Sequence, residues 1–112
     1  YKPEVILASA GFDGYYMDPV AALSLTSRSY LRIINLLLSL SSNLCDGRLI
    51  LALEGGYNLD FLGRMVTTFI IRMAGEKCYM KDGRVRSPRR IREKGINVIE
   101  NVKRELSSYW KL

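Results

Sequence analysis

Residues 4–19 read EVILASAGFDGYYMDP. From Glu4 to Ala10 the run is apolar almost without a break. That is the pattern of a strand covered on both faces, as in a parallel sheet, and not of a strand with one wet side. The next residues end it abruptly: Gly11, Gly14 and Pro19 enclose two carboxylates, Asp13 and Asp18, and the adjacent tyrosines Tyr15 and Tyr16. Acids in a loop that leaves a buried strand either cap the loop's own turns or hold a ligand. The rest of the chain has to decide between the two.

Working outward, Leu25-Thr26-Ser27 offers hydroxyl caps for a helix running to about Ser42. Its apolar positions (Tyr30, Leu31, Ile33, Ile34, Leu37, Leu38) cover much of the circumference, which predicts packing on two sides. An Asp-Gly turn signal at Asp46-Gly47 precedes a second buried-type strand, Arg48 to Leu53. Glu54-Gly55-Gly56-Tyr57-Asn58 breaks that strand. A helix then runs from about Leu59 to Met73, with Phe61, Leu62, Met65, Val66, Phe69 and Ile70 on one face and Gly75 placed to end it. Residues 75–88 read as irregular and exposed. Ser87 as cap and Pro88 in the first turn then start a last helix, in which Ile91, Val98, Ile99, Val102, Leu106 and Tyr109 recur at helical spacing to the end of the chain; Gly95 weakens its first turns.

Strand, helix, strand with apolar strands implies an α/β unit of parallel strands joined by a right-handed crossover. Two strands are too few for a stable open sheet of this kind. The chain also lacks an initiator methionine, and its first strand starts within four residues of Tyr1. These features predict a partial domain within a longer polypeptide, with residues 1–74 as a motif-bearing β-α-β-α unit and residues 75–112 as a basic loop and C-terminal helix. In such a fragment, Leu31, Ile34 and Leu38 are expected to form an apolar face left uncovered.

The 112 residues allow one domain at most with a modest core. At 48% hydrophobic the chain is not disordered as a whole. The longest apolar run, LRIINLLLSLSS, is interrupted by Arg32 and Asn35 and is too short to span a bilayer. The first residues do not form a signal peptide. Cys45 and Cys78 match no metal-ligand spacing and read as free thiols of a cytoplasmic protein. Charge is uneven: residues 1–71 hold five Lys and Arg against six Asp and Glu, and residues 72–112 hold twelve against five. The densest cations (Arg84, Arg86, Arg89, Arg90, Arg92, Lys94) have no aromatic residue among them for base stacking, which argues against nucleic acid as the partner.

In open parallel sheets ligands bind beyond the carboxyl ends of the strands, and adjacent strands would bring both loops to one rim. There Asp18 has the chemistry of a zinc ligand, while an Asp before Pro also starts turns; on spacing alone the turn reading leads. For Asp13 the expectation is hydrogen bonding to loop amides. Gly55 and Gly56 allow close backbone approach. The Tyr57 phenol could either stabilise an oxyanion or anchor the start of a helix. A phosphate-binding loop is a weak alternative, since no Lys-Ser/Thr follows the glycines.

Taken together, SAGFDGYYMDPVAALSLT (9–26) and LILALEGGYNLDFL (49–62) resemble the last conserved blocks of the histone deacetylase superfamily, which includes the acetoin-utilization and acetylpolyamine amidohydrolase proteins. The likeness covers Pro3 to about Ala74. It implies the C-terminal portion of an arginase-like, three-layer α/β fold and zinc-dependent hydrolysis of N-acyl amides such as acetyl-lysine or acetylpolyamine. By resemblance Asp18 is a Zn²⁺ ligand, Tyr57 donates to the substrate carbonyl and then to the tetrahedral oxyanion, and Gly55 and Gly56 line the acyl-lysine tunnel. Many relatives carry His where this chain has Tyr15. The resemblance implies zinc held by two aspartates and one histidine; this chain contains no histidine, so the family's Asp-x-His zinc-binding pair and its paired acid/base histidines would have to come from an upstream part of the same domain. The chain alone is therefore expected to be inactive. The rival expectation is a non-catalytic interaction domain whose basic C-terminal helix binds an acidic partner.

Overall fold

The computed structural model describes residues 2–20, 23–83 and 85–111. Two strands, β1 (Ile6–Gly11) and β2 (Leu49–Gly55), pair in parallel, with Ile6 opposite Leu49 and Ala10 opposite Leu53. A register irregularity after Ala10 then sets Gly11 opposite Gly55. The helix α1 (Ser27–Cys45) makes the crossover, α2 (Leu59–Met73) follows β2, and α3 (Arg89–Leu106) ends the described chain. The expected strand–helix–strand–helix–helix order is therefore present.

The core lies on one face of the sheet. Phe12, Tyr15, Tyr30, Ile34, Phe61, Met65 and Phe69 form it, with Ala10, Leu49 and Leu51 of the strands packed against them. Two expectations are corrected here. The strands alternate rather than being covered on both sides, and Leu7 (71%) and Ile50 (56%) stand exposed on the other face. Likewise α1 packs on one side, and its uncovered apolar face is Ile33, Leu36 and Leu40 rather than the expected Leu31, Ile34 and Leu38: Ile34 is fully buried and Leu31 and Leu38 lean on the core. The physical reason is common to both. Both core helices lie against one face of a two-stranded sheet, so the apolar pattern meets a partner on that side only among the described residues.

Helix ends follow local chemistry. Thr26 caps α1 in a reciprocal box with Ser29, as its hydroxyl predicted. The helix runs past Ser42 to Cys45, where Asp46 turns left-handed (φ 51°). α2 has the predicted bounds and ends at Gly75 (φ 85°), where Gly75 N donates to Arg72 O and Glu76 N to Ile71 O, a Schellman pair. For α3 the start shifts by one residue and the end falls short of the expectation: the helix stops at Leu106, before Tyr109. Pro88, not Ser87, holds the cap position, and no side chain caps it. α3 buries none of its residues. Of the dense cations, Arg84 lies outside the described residues.

Residues 76–83 are irregular as expected, yet they are not simply exposed. They return along α1, where the Ser27 hydroxyl donates to Met80 O (3.2 Å) and the Ser27 amide to the Asp82 carboxylate. The Gly83 amide donates to the Tyr16 hydroxyl (3.1 Å). Both cysteines are free, as expected. Among the described residues no helix is long and apolar enough to cross a membrane.

Candidate active site at the carboxyl ends of the strands

The two glycine-rich loops do share one rim. Phe12 N donates to Gly55 O at 2.8 Å, which carries the pairing of the strands into the loops. Beyond it, the Asp18 carboxylate is buried at 8% exposure and joins the loops directly. Its Oδ2 accepts the amides of Tyr57 (2.7 Å) and Asn58 (3.1 Å), and its Oδ1 accepts the Val20 amide (2.9 Å). The Val20 contact is the turn-starting role expected of an Asp before Pro. The other two span about forty residues of sequence and make Asp18 the clasp of the rim.

Asn58 completes the clasp. Its Nδ2 donates to Met17 O (3.0 Å), and its Oδ1 caps α2 through the Phe61 amide (3.0 Å). Sequence reading passed over this residue, although an Asn directly before a helical pattern is a recognised cap signal. Tyr57 is therefore held by its own amide and by its neighbour, while 53% of the residue remains exposed at the rim. A side chain fixed at its root and open at its tip can reach a bound molecule without unpacking the core.

The glycines serve close approach. Gly56 adopts φ 136°, and a Cβ there would come within 3.0 Å of the Phe12 Cβ and of Leu62 Cδ1. At Gly55 and Gly11 the space for a Cβ is taken by Asp13 Oδ1, 3.0 and 2.7 Å away. The expectation that Asp13 bonds loop amides is corrected: among the described residues its carboxylate accepts no hydrogen bond and instead fills the space over the two glycines.

Under the loops lies an aromatic floor. Tyr15 stacks on Phe61 with ring centroids 3.4 Å apart and planes 6° from parallel, so it belongs to the core and presents no free face to the rim. Burial, then the hydrogen bond and charge of Tyr16, push its phenol up to about 12. Tyr30 is 4% exposed, and its hydroxyl has no hydrogen-bond partner of ordinary geometry. Burial pushes this phenol up to about 12 as well, helped by the nearby Asp13 and Asp18 carboxylates and offset in part by the Gly14 backbone. Helical spacing identified Tyr30 only as an apolar position.

Among the described residues no group of three or more His, Cys, Asp and Glu side chains could hold a metal ion. Asp18 offers a single carboxylate beside Tyr57, and the sequence contains no histidine. This donor set does not by itself fit a catalytic zinc, which takes about three protein ligands.

Residues 1–73 match the histone deacetylase domain family. A probable deacetylase of Archaeoglobus fulgidus is 32% identical over 120 aligned positions, covering 99% of this chain and 33% of that protein. The chloroplastic histone deacetylase 14 of Arabidopsis thaliana is 38% identical over 76, covering 68% of this chain and 18% of that protein. In structure the chain is similar to the crystal structure of the HDA15 HD domain, with a TM-score of 0.68 at 28% identity, covering 97% of this chain and 28% of that one. The chain thus spans about a third or less of the length of these relatives. Its two rim loops fall inside the matched segment, its parallel α/β fold is that of the neighbour, and the chain belongs to the histone deacetylase family.

Proposed function

We propose that this chain supplies the Asp–Tyr side of the active centre of a zinc-dependent deacylase that hydrolyses N-acetyl amides such as acetyl-lysine or acetylpolyamine. The observation that carries the reading is the clasp of Asp18 on the Tyr57 amide at 2.7 Å, which roots a half-exposed tyrosine on a buried carboxylate at the rim. Asp18 is the zinc ligand contributed from this side, and an upstream part of the same domain contributes the histidines and the other carboxylate. Zinc, when bound, supplies Lewis-acid chemistry and an activated water. Tyr57 donates its phenolic proton in a hydrogen bond to the acyl oxygen and holds the negative charge that develops there. Gly55 and Gly56, whose backbone Asp13, Phe12 and Leu62 approach closely, form the turn that lines the acyl-lysine tunnel in this reading.

The test uses the full-length polypeptide that carries this sequence, with zinc content and release of acetate from an acetyl-lysine peptide and an acetylpolyamine as readouts. Zinc near one equivalent and turnover of either substrate support the reading. A metal-free, inactive full-length protein removes it. The 112-residue chain alone is expected to be inactive for want of the histidines.

A second reading rests on α3, which buries no residue and carries Arg89, Arg90, Arg92, Lys94, Lys103 and Arg104. In it the helix binds an acidic protein partner. Its mark is an association that weakens steeply with salt and persists when Tyr57 is changed to Phe.

A further inference from the structure

Away from the rim, the return of residues 76–83 along α1 leaves an open cleft of about 380 Å³ between α1, the end of α2 and that segment. Arg28 and Arg32 line it from α1, Arg72 from α2, and Lys77 from the return segment. No Asp or Glu lines it. Among the described residues none of these four cations takes part in an ion pair. The Asp82 carboxylate borders an adjoining cleft with Arg28 and accepts the Ser27 amide.

One of the four cations is built in place. Arg72 Nε and Nη2 both donate to Asn35 Oδ1 (3.0 and 2.8 Å), and Nη1 donates to Glu76 O (3.0 Å). These partners are neutral, so the guanidinium is oriented while its charge stays uncompensated. Two of its five N–H groups remain outside these bonds. Arg28 and Arg32 stand one helical turn apart on α1, a like-charge pair that is unfavourable without a counter-ion. Four cations from three elements therefore converge on a space that holds about a dozen waters by volume. That is more positive charge than one carboxylate or one sulfate neutralises, and guanidinium forks match phosphate oxygens in geometry.

We propose that this cleft is a binding site for a compact polyphosphate, either a bare phosphate chain or the polyphosphate moiety of a nucleotide. Arg72 fixes the position of the central phosphate, Arg28 and Arg32 hold one end, and Lys77 holds the other. The exposed Tyr79 ring (88%) stands at the mouth, where a base would stack if the ligand carries one. The site does not depend on the deacylase reading, since it shares no residue with the rim.

The test is calorimetric titration of the full-length polypeptide with sodium tripolyphosphate at about 150 mM salt, a condition under which diffuse surface attraction is screened. Orthophosphate and ATP serve as parallel ligands. Saturable binding is expected, weakened at least about ten-fold in Arg28→Gln/Arg32→Gln and also in Lys77→Gln, with the melting temperature of the ligand-free protein unchanged. These side chains take part in no hydrogen bond or ion pair among the described residues, so the variants leave the fold intact; Arg72, which clamps α2 to α1, is left alone. ATP binding tighter than tripolyphosphate, with the difference lost in Tyr79→Ala, identifies a nucleotide. Equal affinities identify the bare chain. Absence of saturable binding, equal affinity in the variants, or orthophosphate binding as tightly as tripolyphosphate overturns the proposal.

Discussion

The Asp18 carboxylate accepts the Tyr57 amide at 2.7 Å, so the position of the exposed phenol depends on a buried acid thirty-nine residues earlier. Asp18 thus has a structural duty whatever it binds. Replacing it with Ala leaves the amides of Val20, Tyr57 and Asn58 without that acceptor. We expect Asp18→Ala to destabilise the metal-free protein by about 1–3 kcal/mol, the usual penalty for stranding part-buried donors, and, on the proposed reading, to remove the zinc of the full-length protein. Urea unfolding after chelation, set beside metal analysis, separates the two effects. Unchanged stability without metal would show that the clasp contributes nothing and that Asp18 acts only as a ligand.

Tyr57→Phe should separate chemistry from structure. The ring is half exposed and the residue is held through its backbone, so removing the hydroxyl should shift stability by less than about 0.5 kcal/mol. On the proposed deacylase reading, the same change in the full-length protein should lower kcat by about 100-fold or more with little change in KM, because the lost donor acts mainly in the transition state. Steady-state kinetics on an acetyl-lysine peptide, with a melting curve on the same preparation, checks both halves. Near-normal kcat would take the oxyanion role away from Tyr57.

Gly56→Ala meets two obstacles together. The backbone sits at φ 136°, which side chains rarely adopt, and the new methyl would lie 3.0 Å from both Phe12 Cβ and Leu62 Cδ1. A loss of about 1–3 kcal/mol is expected. At Gly55 the added methyl would meet Asp13 Oδ1 at 3.0 Å, the end of a side chain that can swing aside. Gly55→Ala should therefore be the milder of the two, and denaturant midpoints of the pair decide the order.

How far the sequence carried this reading depends on the range of the signal. The bounds of Leu59–Met73 were legible because its apolar spacing and Gly75 are local signals, although its cap Asn58 was passed over and Ile70 stands exposed, and α1 announced its start through Thr26 for the same reason. The meeting of the two loops was legible from topology, since parallel strands place their carboxyl ends together. Which atoms meet was not. Among the described residues Asp18 takes backbone amides from the far loop while Asp13 takes none and lies over Gly11 and Gly55, next to a register irregularity after Ala10, and no period in the sequence encodes this. The return of residues 76–83 onto α1 was missed because Ser27 and Asp82 signal only caps and turns when read locally. The unburied α3 and the open outer face of the sheet have an apolar pattern without a partner among the described residues, so periodicity overstated their burial.

Tyr30 supplies a test in which pH sets the sign. Among the described residues its buried hydroxyl has no hydrogen-bond partner of ordinary geometry, so Tyr30→Phe should be neutral or stabilising by up to about 1 kcal/mol at neutral pH, since the variant abolishes a poorly satisfied group without opening a cavity. In the folded chain this phenol is pushed up to about 12, against about 10 when unfolded, by burial and by the charges of Asp13 and Asp18. Between those two values the unfolded state has released a proton that the folded state still holds, so stability is whole below pH 10 and falls as pH rises toward 12. Tyr15, pushed up to about 12 mainly by burial, contributes in the same direction. Urea midpoints measured at several pH values across that window should therefore fall for the wild-type protein, and less steeply for Tyr30→Phe. Equal slopes for the two would mean that the Tyr30 phenol ionises as easily in the fold as in the unfolded chain, and that the floor beneath the rim is wetter than its burial indicates.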